Sequence, residues 1–549
     1  MTEVESLRPL LAVAVSAFAV FGILAAHRRP NLREGVTLVA AVCKFGVVAS
    51  MVPGVLDGTV YVTRLGDVVA GVPFVLRADP LGLLFALLAS FLWIPTSLYS
   101  IGYMRGLDES NQTRYFAAFA GSLSATMGIA FASNLVVLFV FYELLTVATY
   151  PLVAHDEDEE ARAAGRKYLT YTFGGGVAVL AGTVLVYVAA GTVGFSAGGI
   201  EGLTTGTSTN VARLAFALLA GGFAVKAAVM PLHSWLPDAM VAPTPVSGLL
   251  HAVAVVKSGA FGVSRVVLDV FGPDAVAEIG TGVPLAALAA FTFIAASIIA
   301  LRKDNLKRRL AYSTIAQLSY IVMGLALLTP TALVGGLLHI PAHAFMKLTL
   351  FFCAGAIHVE THTDDISEMA GIGERMPLTM SAFGVASLGM AGIPLLAGFV
   401  SKWYLLVGSF DAGHAVFAFA LLLSGVLNIA YFWPIVYQAF FETREESDEK
   451  PLVDAELGGH WGKVPDHYTP RATMADGGSE DDVHGDDHGE HGDGYWVRAG
   501  WRGGETSPFV LVPILAVCAC AVALGVAPAT VYFLRVVRLI VENVTGVVV

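Results

Sequence analysis

GGFAVKAAVMPLHSWLPDA, residues 221–239, places a lysine inside an apolar run that ends in proline, histidine and aspartate. A lysine in mid-membrane costs roughly 2.5 to 3.5 kcal/mol on insertion scales. Lys226 stands five residues before Pro231, little more than a turn. A proline also leaves the carbonyl four residues earlier without its helical donor. Charge and broken backbone therefore coincide, and the solvent around them decides what the coincidence means.

Composition identifies that solvent. Of 549 residues, 56% are hydrophobic and 14% charged, against roughly 25% charged in soluble domains; mean hydropathy is +0.70. So few polar groups cannot cover a soluble surface. Apolar segments near or above the ~20 residues a spanning helix requires recur along the chain. They predict an all-α polytopic membrane protein of about fourteen spans: 8–26, 35–54, 80–102, 114–132, 134–154, 165–190, 211–230, 244–270, 281–301, 309–329, 331–358, 377–407, 413–440 and 507–536. The alternating stretch 59–79 reads as a short extramembrane β-hairpin. The units expected are 1–113 with the hairpin, a five-helix unit at 114–270, a second at 281–440, an acidic His-containing loop at 441–506 and a C-terminal transmembrane helix in 507–549.

Of 32 basic residues, 20 fall in loops on one side of this topology and five on the other. The bias places both termini outside a cell membrane. Seven more lie within spans: Lys44, Arg213, Lys226, Lys257, Arg265, Lys347 and Lys402. Arg213 is near enough to a span end to snorkel, and Lys44 and Arg265 are read as binding a neighbouring helix or subunit.

The remaining four form a series with Glu143. That glutamate is central in NLVVLFVFYELLTVATYP (134–151), and Lys226 is its candidate partner in charge. Lys257 follows Pro245 by twelve residues. His339, His343 and Lys347 in LLHIPAHAFMKLTLFF are spaced i, i+4, i+8, a stripe about 12 Å long on one helix face. Lys402 stands eight residues after Pro394. Unpaired, Glu143 and the four lysines would cost on the order of 12 to 17 kcal/mol, as much as a typical protein's whole stability. They must be paired, hydrated or partly neutral, and each outcome favours proton handling. Lysine occupancy responds to a nearby carboxylate, and histidine bridges lysines too far apart for direct transfer.

Pro231, Pro341 and Pro394 are read as helix breaks, tolerable in mid-membrane where protein or a water-filled cavity re-satisfies the backbone. Lys226 and Lys402 are five spans apart, each near a break, so the two five-helix units are expected to be inverted repeats with helices 7 and 12 broken. The tenth span offers Gln317 where the fifth has Glu143.

Plainer readings accompany these. The Glu143–Lys226 pair would also serve as a fixed bridge pinning two helices, Lys257 as a static donor, and Lys402 as an interfacial snorkelling group. His233 and Asp238 flank an entrance or a structural turn, and His251 is an accessory relay or a backbone-bonding histidine. Residues 475–494 hold eight acidic residues and three histidines in Gly-rich sequence. They read as a hydrated loop without metal-site spacing, compatible with a salty, halophilic cytoplasm. With no cysteine cluster, dinucleotide fingerprint or phosphate loop, no cofactor, metal or catalytic redox site is expected. Energy must come from an ion gradient or partner subunits, at about 2.3 kcal/mol per charge per 100 mV.

FYELLTVATYPLV around Glu143, KAAVMPLHSWLPDAMVAPTPVSGLLHAVAVVKSG around Lys226 and Lys257, LAYSTIAQLSYI at 310–321, LLHIPAHAFMKLTLFFCAGAI around Lys347 and GIPLLAGFVSKWYL around Lys402 resemble the antiporter-like proton-translocating subunits shared by respiratory complex I (NADH:quinone oxidoreductase) and Mrp-type multisubunit sodium/proton antiporters. The resemblance covers roughly residues 75–440. It implies fourteen core helices, two inverted five-helix units, broken helices 7 and 12, and a hydrated polar axis. Glu143 then matches the family's fifth-helix glutamate, Lys226 its paired lysine, Lys257 the central lysine and Lys402 the twelfth-helix group, with His339 and Lys347 in the relay-bearing eleventh helix. Lysine at 402 makes the chain look most like the D-type member of the Mrp antiporter. The family also implies partner membrane subunits, protons and sodium as the transported ions. A redox-driven proton pump and a non-conducting scaffold are the alternatives; the acidic loop departs from the family form.

Overall fold

The computed structural model describes residues 1–69, 71–204, 206–443, 504–529 and 532–548. Helices dominate because backbone groups in hydrocarbon must be satisfied within their own segment. After β1 (Thr2–Glu5) come α1 (Arg8–Ala25), α2 (Pro30–Ala49) and short α3 (Val52–Leu56), then β2 (Thr59–Val69) and β3 (Val72–Ala78). The next group is α4 (Pro80–Gly106), α5 (Gln112–Phe131), α6 (Leu135–Val153), α7 (Glu159–Ala190), α8 (Thr209–Lys226), α9 (Trp235–Asp238), α10 (Thr244–Ala252), α11 (Val255–Arg265) and α12 (Pro273–Glu278). The chain continues through α13 (Gly282–Leu301), α14 (Leu306–Ala326), α15 (Pro330–Thr361), α16 (Ile372–Arg375), α17 (Pro377–Ala391), α18 (Ala397–Asp411), α19 (Ala415–Phe441), α20 (Pro508–Val526) and α21 (Tyr532–Thr545).

Among the described residues, nine helical stretches are long and apolar enough to cross a membrane. Burial separates centre from rim: the apolar window of α15 is 100% buried, that of α1 only 28%. The fully buried α15 is also the least apolar of the nine, with mean hydropathy 1.5, because its polar side chains find partners only inside the bundle, whereas the rim leaves Phe18, Val188 and Phe419 exposed, as a lipid-facing surface would. Polar caps set several helix starts. Asn134 accepts from Val137 N at 2.9 Å and Asp158 from Ala161 N at 2.6 Å, satisfying donors with no intrahelical partner.

The hairpin of the 59–79 stretch forms, with β2 and β3 antiparallel and Tyr61 opposite Ala78. It gains a third strand, since β1 pairs in parallel with β2, Thr2 opposite Thr59. Four residues of alternation at the terminus are too short a signal to read beforehand.

Three other expectations are corrected. Pro341 is not a helix break: α15 runs unbroken through it, because one lost backbone bond is outweighed by packing on all sides of a fully buried helix. The 244–270 segment is instead interrupted at Val253 and Ala254, between α10 and α11. The C-terminal span ends at Val526, and Ala527, which precedes Pro528 and is biased away from helix, turns the chain. A separate helix, α21, follows; it buries Phe533, Leu534, Val537, Ile540 and Val541 and leaves Arg535, Arg538 and Glu542 exposed. The acidic stretch 475–494 lies outside the described residues.

Candidate functional site

The site begins with carbonyls that the prolines orphan. Pro394 has no N–H to give the Met390 carbonyl, four residues earlier. The chain breaks there: α17 ends at Ala391, Gly392 takes a left-handed φ of +95°, and α18 starts at Ala397. Into the gap reaches Lys402, whose Nζ donates to Met390 O at 2.6 Å and Ala391 O at 3.2 Å. Gln317 Nε2 and Asn428 Nδ2 approach the same Met390 oxygen at 3.5 and 3.3 Å. The break therefore creates the acceptor that holds the lysine.

Around Pro231 the chain breaks as well, with side chains rather than the lysine bonding the backbone there. α8 ends at Lys226; the Val225 carbonyl accepts the Trp235 indole N–H at 2.9 Å, and Met230 N donates to Thr292 Oγ1 at 3.1 Å. Gly259 of α11 packs on this break so closely that a Cβ there would lie 2.3 Å from Ala227 N. That contact sets the Lys257 helix directly against the end of the Lys226 helix.

From Lys257 a line of polar groups crosses the bundle. Its Nζ is 2.7 Å from His343 Nδ1. His343 and His339, one turn apart on α15, stack with ring centroids 6.0 Å apart. His339 contacts Gln317 Oε1 through Nε2 at 2.9 Å and Ser401 Oγ through Nδ1 at 2.8 Å. Gln317 and Lys402 then meet at the Met390 carbonyl. Lys257, His343, His339, Gln317 and Ser401 are all buried, and Lys402 nearly so. Lys347 faces α14, donating to Leu310 O at 3.1 Å and to Ser313 Oγ. The continuity of α15 through Pro341 keeps His339 and His343 on one face; a break would have turned them apart.

Glu143 and Lys226 lie within electrostatic reach of each other but make no ion pair within 4.0 Å. Lys226 Nζ instead donates to Tyr142 O at 2.6 Å and sits 3.4 Å from the Tyr142 ring centroid, a cation–π contact. Both Glu143 carboxylate oxygens are buried without a hydrogen-bond partner among the described residues. They press on Gly176 of α7, where an added Cβ would lie 1.9 Å from Glu143 Oε1. Gly176→Ala should therefore displace the carboxylate and lower stability by about 1–3 kcal/mol. A thermal melt of the purified protein checks this, and an unchanged midpoint would show that Glu143 swings aside freely.

The accessory residues are distributed differently. Asp238 accepts from Lys167 Nζ at 2.5 Å, and the His233 ring lies 6.3 Å from that of Tyr312. His251 is on α10, its side chain outside the described residues. Arg213 Nε donates to Ile279 O at 2.8 Å. Lys44 donates to Ser16 Oγ and to Leu123 O, the latter at 2.9 Å. Arg265 forms a buried cluster, bidentate to Asp79 at 2.7 and 2.9 Å and bonded to Asp269 at 2.7 Å.

Sequence reasoning missed Tyr142 as the seat of Lys226, Ser401 and Asn428 as members of the line, and the Met390 carbonyl. Only the last left a usable signal, its distance of four from Pro394.

The family described as NADH:quinone oxidoreductase/Mrp antiporter, TM, matches residues 132–428, a stretch holding every residue of the line and the Glu143–Lys226 pair. The chain is 34% identical over 366 residues to NADH-quinone oxidoreductase subunit N of Desulforudis audaxviator (strain MP104C), covering 66% of this chain and 72% of that one. With the putative antiporter subunit mnhA2 of Staphylococcus haemolyticus (strain JCSC1435) it shares 30% identity over 452 residues, 78% of this chain but 55% of that longer one. Its fold is similar to that of a chain of the Mrp complex from Dietzia sp. DQ12-45-1b, with TM-score 0.78, 21% identity and 98% coverage of both. A polytopic helical chain with these matched residues belongs to the NADH:quinone oxidoreductase/Mrp antiporter transmembrane family.

Proposed function

We propose that the chain is a proton-translocating subunit of a multisubunit cation/proton antiporter of the Mrp type, with sodium as the coupling ion. It lies in the cell membrane with both termini outside and works against partner membrane subunits. The observation that carries this reading is the buried line Lys257–His343–His339–Gln317–Met390 O–Lys402, in which successive groups are at hydrogen-bond or stacking distance. Such a line costs too much to keep in a membrane interior for packing alone.

In the mechanism, Lys226 exchanges its Tyr142 contacts for the Glu143 carboxylate, which is buried, unbonded and close enough to attract it. Attraction favours a protonated Lys226; release sends the proton toward Lys257, water bridging the interval between the two lysines. His343 and His339 accept and donate in turn, with water bridging their stacked rings and the interval from His339 to Lys402, while Gln317 and Ser401 orient His339. Lys402 holds the terminal proton against the carbonyls of the helix break. Lys347, which lies within electrostatic reach of Lys257, exchanges with the line across that interval. The two broken helices frame an inverted pair of half-channels, and His233 and Asp238 mark an entrance.

Glu143→Gln keeps the shape and removes the charge. In vesicles holding the assembled complex it should slow ion-driven pH change about tenfold, the effect of losing on the order of 1.4 kcal/mol of attraction. Normal exchange in a correctly assembled variant would refute the pairing. The relative named NADH-quinone oxidoreductase subunit N, of which 72% is matched, supports a second reading in which the chain pumps protons for a redox-driven complex. Co-purifying iron–sulfur subunits would select that reading, and small membrane subunits alone the antiporter.

A further inference from the structure

A second polar cluster lies away from the mid-membrane line, on the loops at one end of the bundle. Glu109 is in the turn between α4 and α5, and His155 and Asp156 follow α6. One ligand atom from each of the three lies within 4.8 Å of the other two. The His155 residue is only 1% exposed, and at most one ring nitrogen finds a partner, the Ser110 backbone, so the other is left without a hydrogen bond among the described residues. A buried polar group left this way costs about 1–3 kcal/mol, so its orientation toward two carboxyl groups needs a reason. Its backbone is held, since Arg114 donates to the His155 carbonyl at 2.6 Å, and the Tyr115 ring packs edge-on at 5.7 Å. One side-chain nitrogen remains unsatisfied among the described residues.

We infer that Glu109, His155 and Asp156 form a binding site for a zinc-class divalent transition-metal ion that ties the α4–α5 turn to the α6–α7 turn. One imidazole and two carboxylates are a nitrogen–oxygen set suited to such an ion, and the imidazole argues against calcium or magnesium, which take oxygen ligands. Zinc bonds of about 2.0–2.1 Å in a tetrahedron set ligand atoms about 3.3 Å apart. Glu109 is half-buried and Asp156 exposed, so both side chains have room to turn toward the ring.

Lys307 is the ammonium that faces both carboxyl groups; it also faces Asp364, to which it can turn when the metal enters.

The test uses the full-length protein in detergent with Co2+ alone, followed by Zn2+ alone as competitor. Because the 475–494 stretch has its own histidines, all arms carry His484→Gln, His488→Gln and His491→Gln. Visible d–d absorbance should report one Co2+ per chain, displaced by Zn2+. Glu109→Gln and Asp156→Asn should each weaken binding at least tenfold, and His155→Ala should abolish it. Since His155 is buried, the two carboxamide variants keep the test valid if the alanine variant fails to fold. No stoichiometric Co2+ in the parent protein, or unchanged affinity in both carboxamide variants, overturns the assignment. The readout is metal binding, so it stands apart from any transport activity.

Discussion

Lys257→Met should lower ion-driven pH change by about 10²-fold or more in vesicles that contain the fully assembled complex, the low end of what a positioned proton-transfer group supplies. The side chain is wholly buried and its Nζ is 2.7 Å from His343 Nδ1, at the head of the line that ends on Lys402. Methionine fills nearly the same volume without a proton site, so packing is kept and only the transfer step is lost. Lys257→Arg separates relay from scaffold. A guanidinium stays protonated at any working pH, so a relay should be nearly as impaired as in the methionine variant, whereas a static donor would tolerate the exchange. Near-normal transport in Lys257→Arg would end the relay reading, provided that assembly is shown by co-purification.

The largest stability loss is expected at Arg265. Its guanidinium is buried, grips both oxygens of Asp79 and bonds Asp269 one turn on. Phe195 and Phe261 lie against it, each with its ring centroid 5.0 Å from the guanidinium carbon. Arg265→Met leaves two carboxyl groups with only the Arg77 charge to attract them and should destabilise the protein by about 3–5 kcal/mol. Asp79 also caps α4, accepting from Gly82 N at 2.7 Å, so the cluster ties the sheet, the start of α4 and the end of α11 together. Thermal melts of the detergent-purified protein measure the loss. Adding Asp79→Asn and Asp269→Asn to Arg265→Met should recover much of it, because neutral groups no longer need the missing charge. Failure of that recovery would mean that Arg265 acts through packing rather than charge.

Arg265 also shows where sequence reading ran out. Its place in an apolar run marked it as needing a partner, but Asp79 is 186 residues away, and no pattern along the chain connects them. The proline breaks divide in the same way. Pro231 and Pro394 stand at real interruptions, while Pro341 does not, since the loss of one backbone bond is local and the packing that overrides it is not. The stop at Val253 and Ala254 has no proline or glycine to announce it. Glu143 and Lys226 were legible as opposite charges at matching depth; that Tyr142 would take the ammonium was invisible, because a backbone carbonyl and a ring face are not distinctive residue types.

Composition and apolar run length alone determined that this chain is a helical membrane protein, because the free energy of placing backbone and side chains in hydrocarbon depends on local content. They also determined which residues are too expensive to be there without purpose, from Glu143 to Lys402. Only the tertiary structure decided which of those residues touch: His343 rather than a carboxylate beside Lys257, Gln317 beside His339, the Met390 carbonyl under Lys402. Hydrogen bonds have a reach of about 3 Å, and whether two groups come that close is set by how helices far apart in the chain pack.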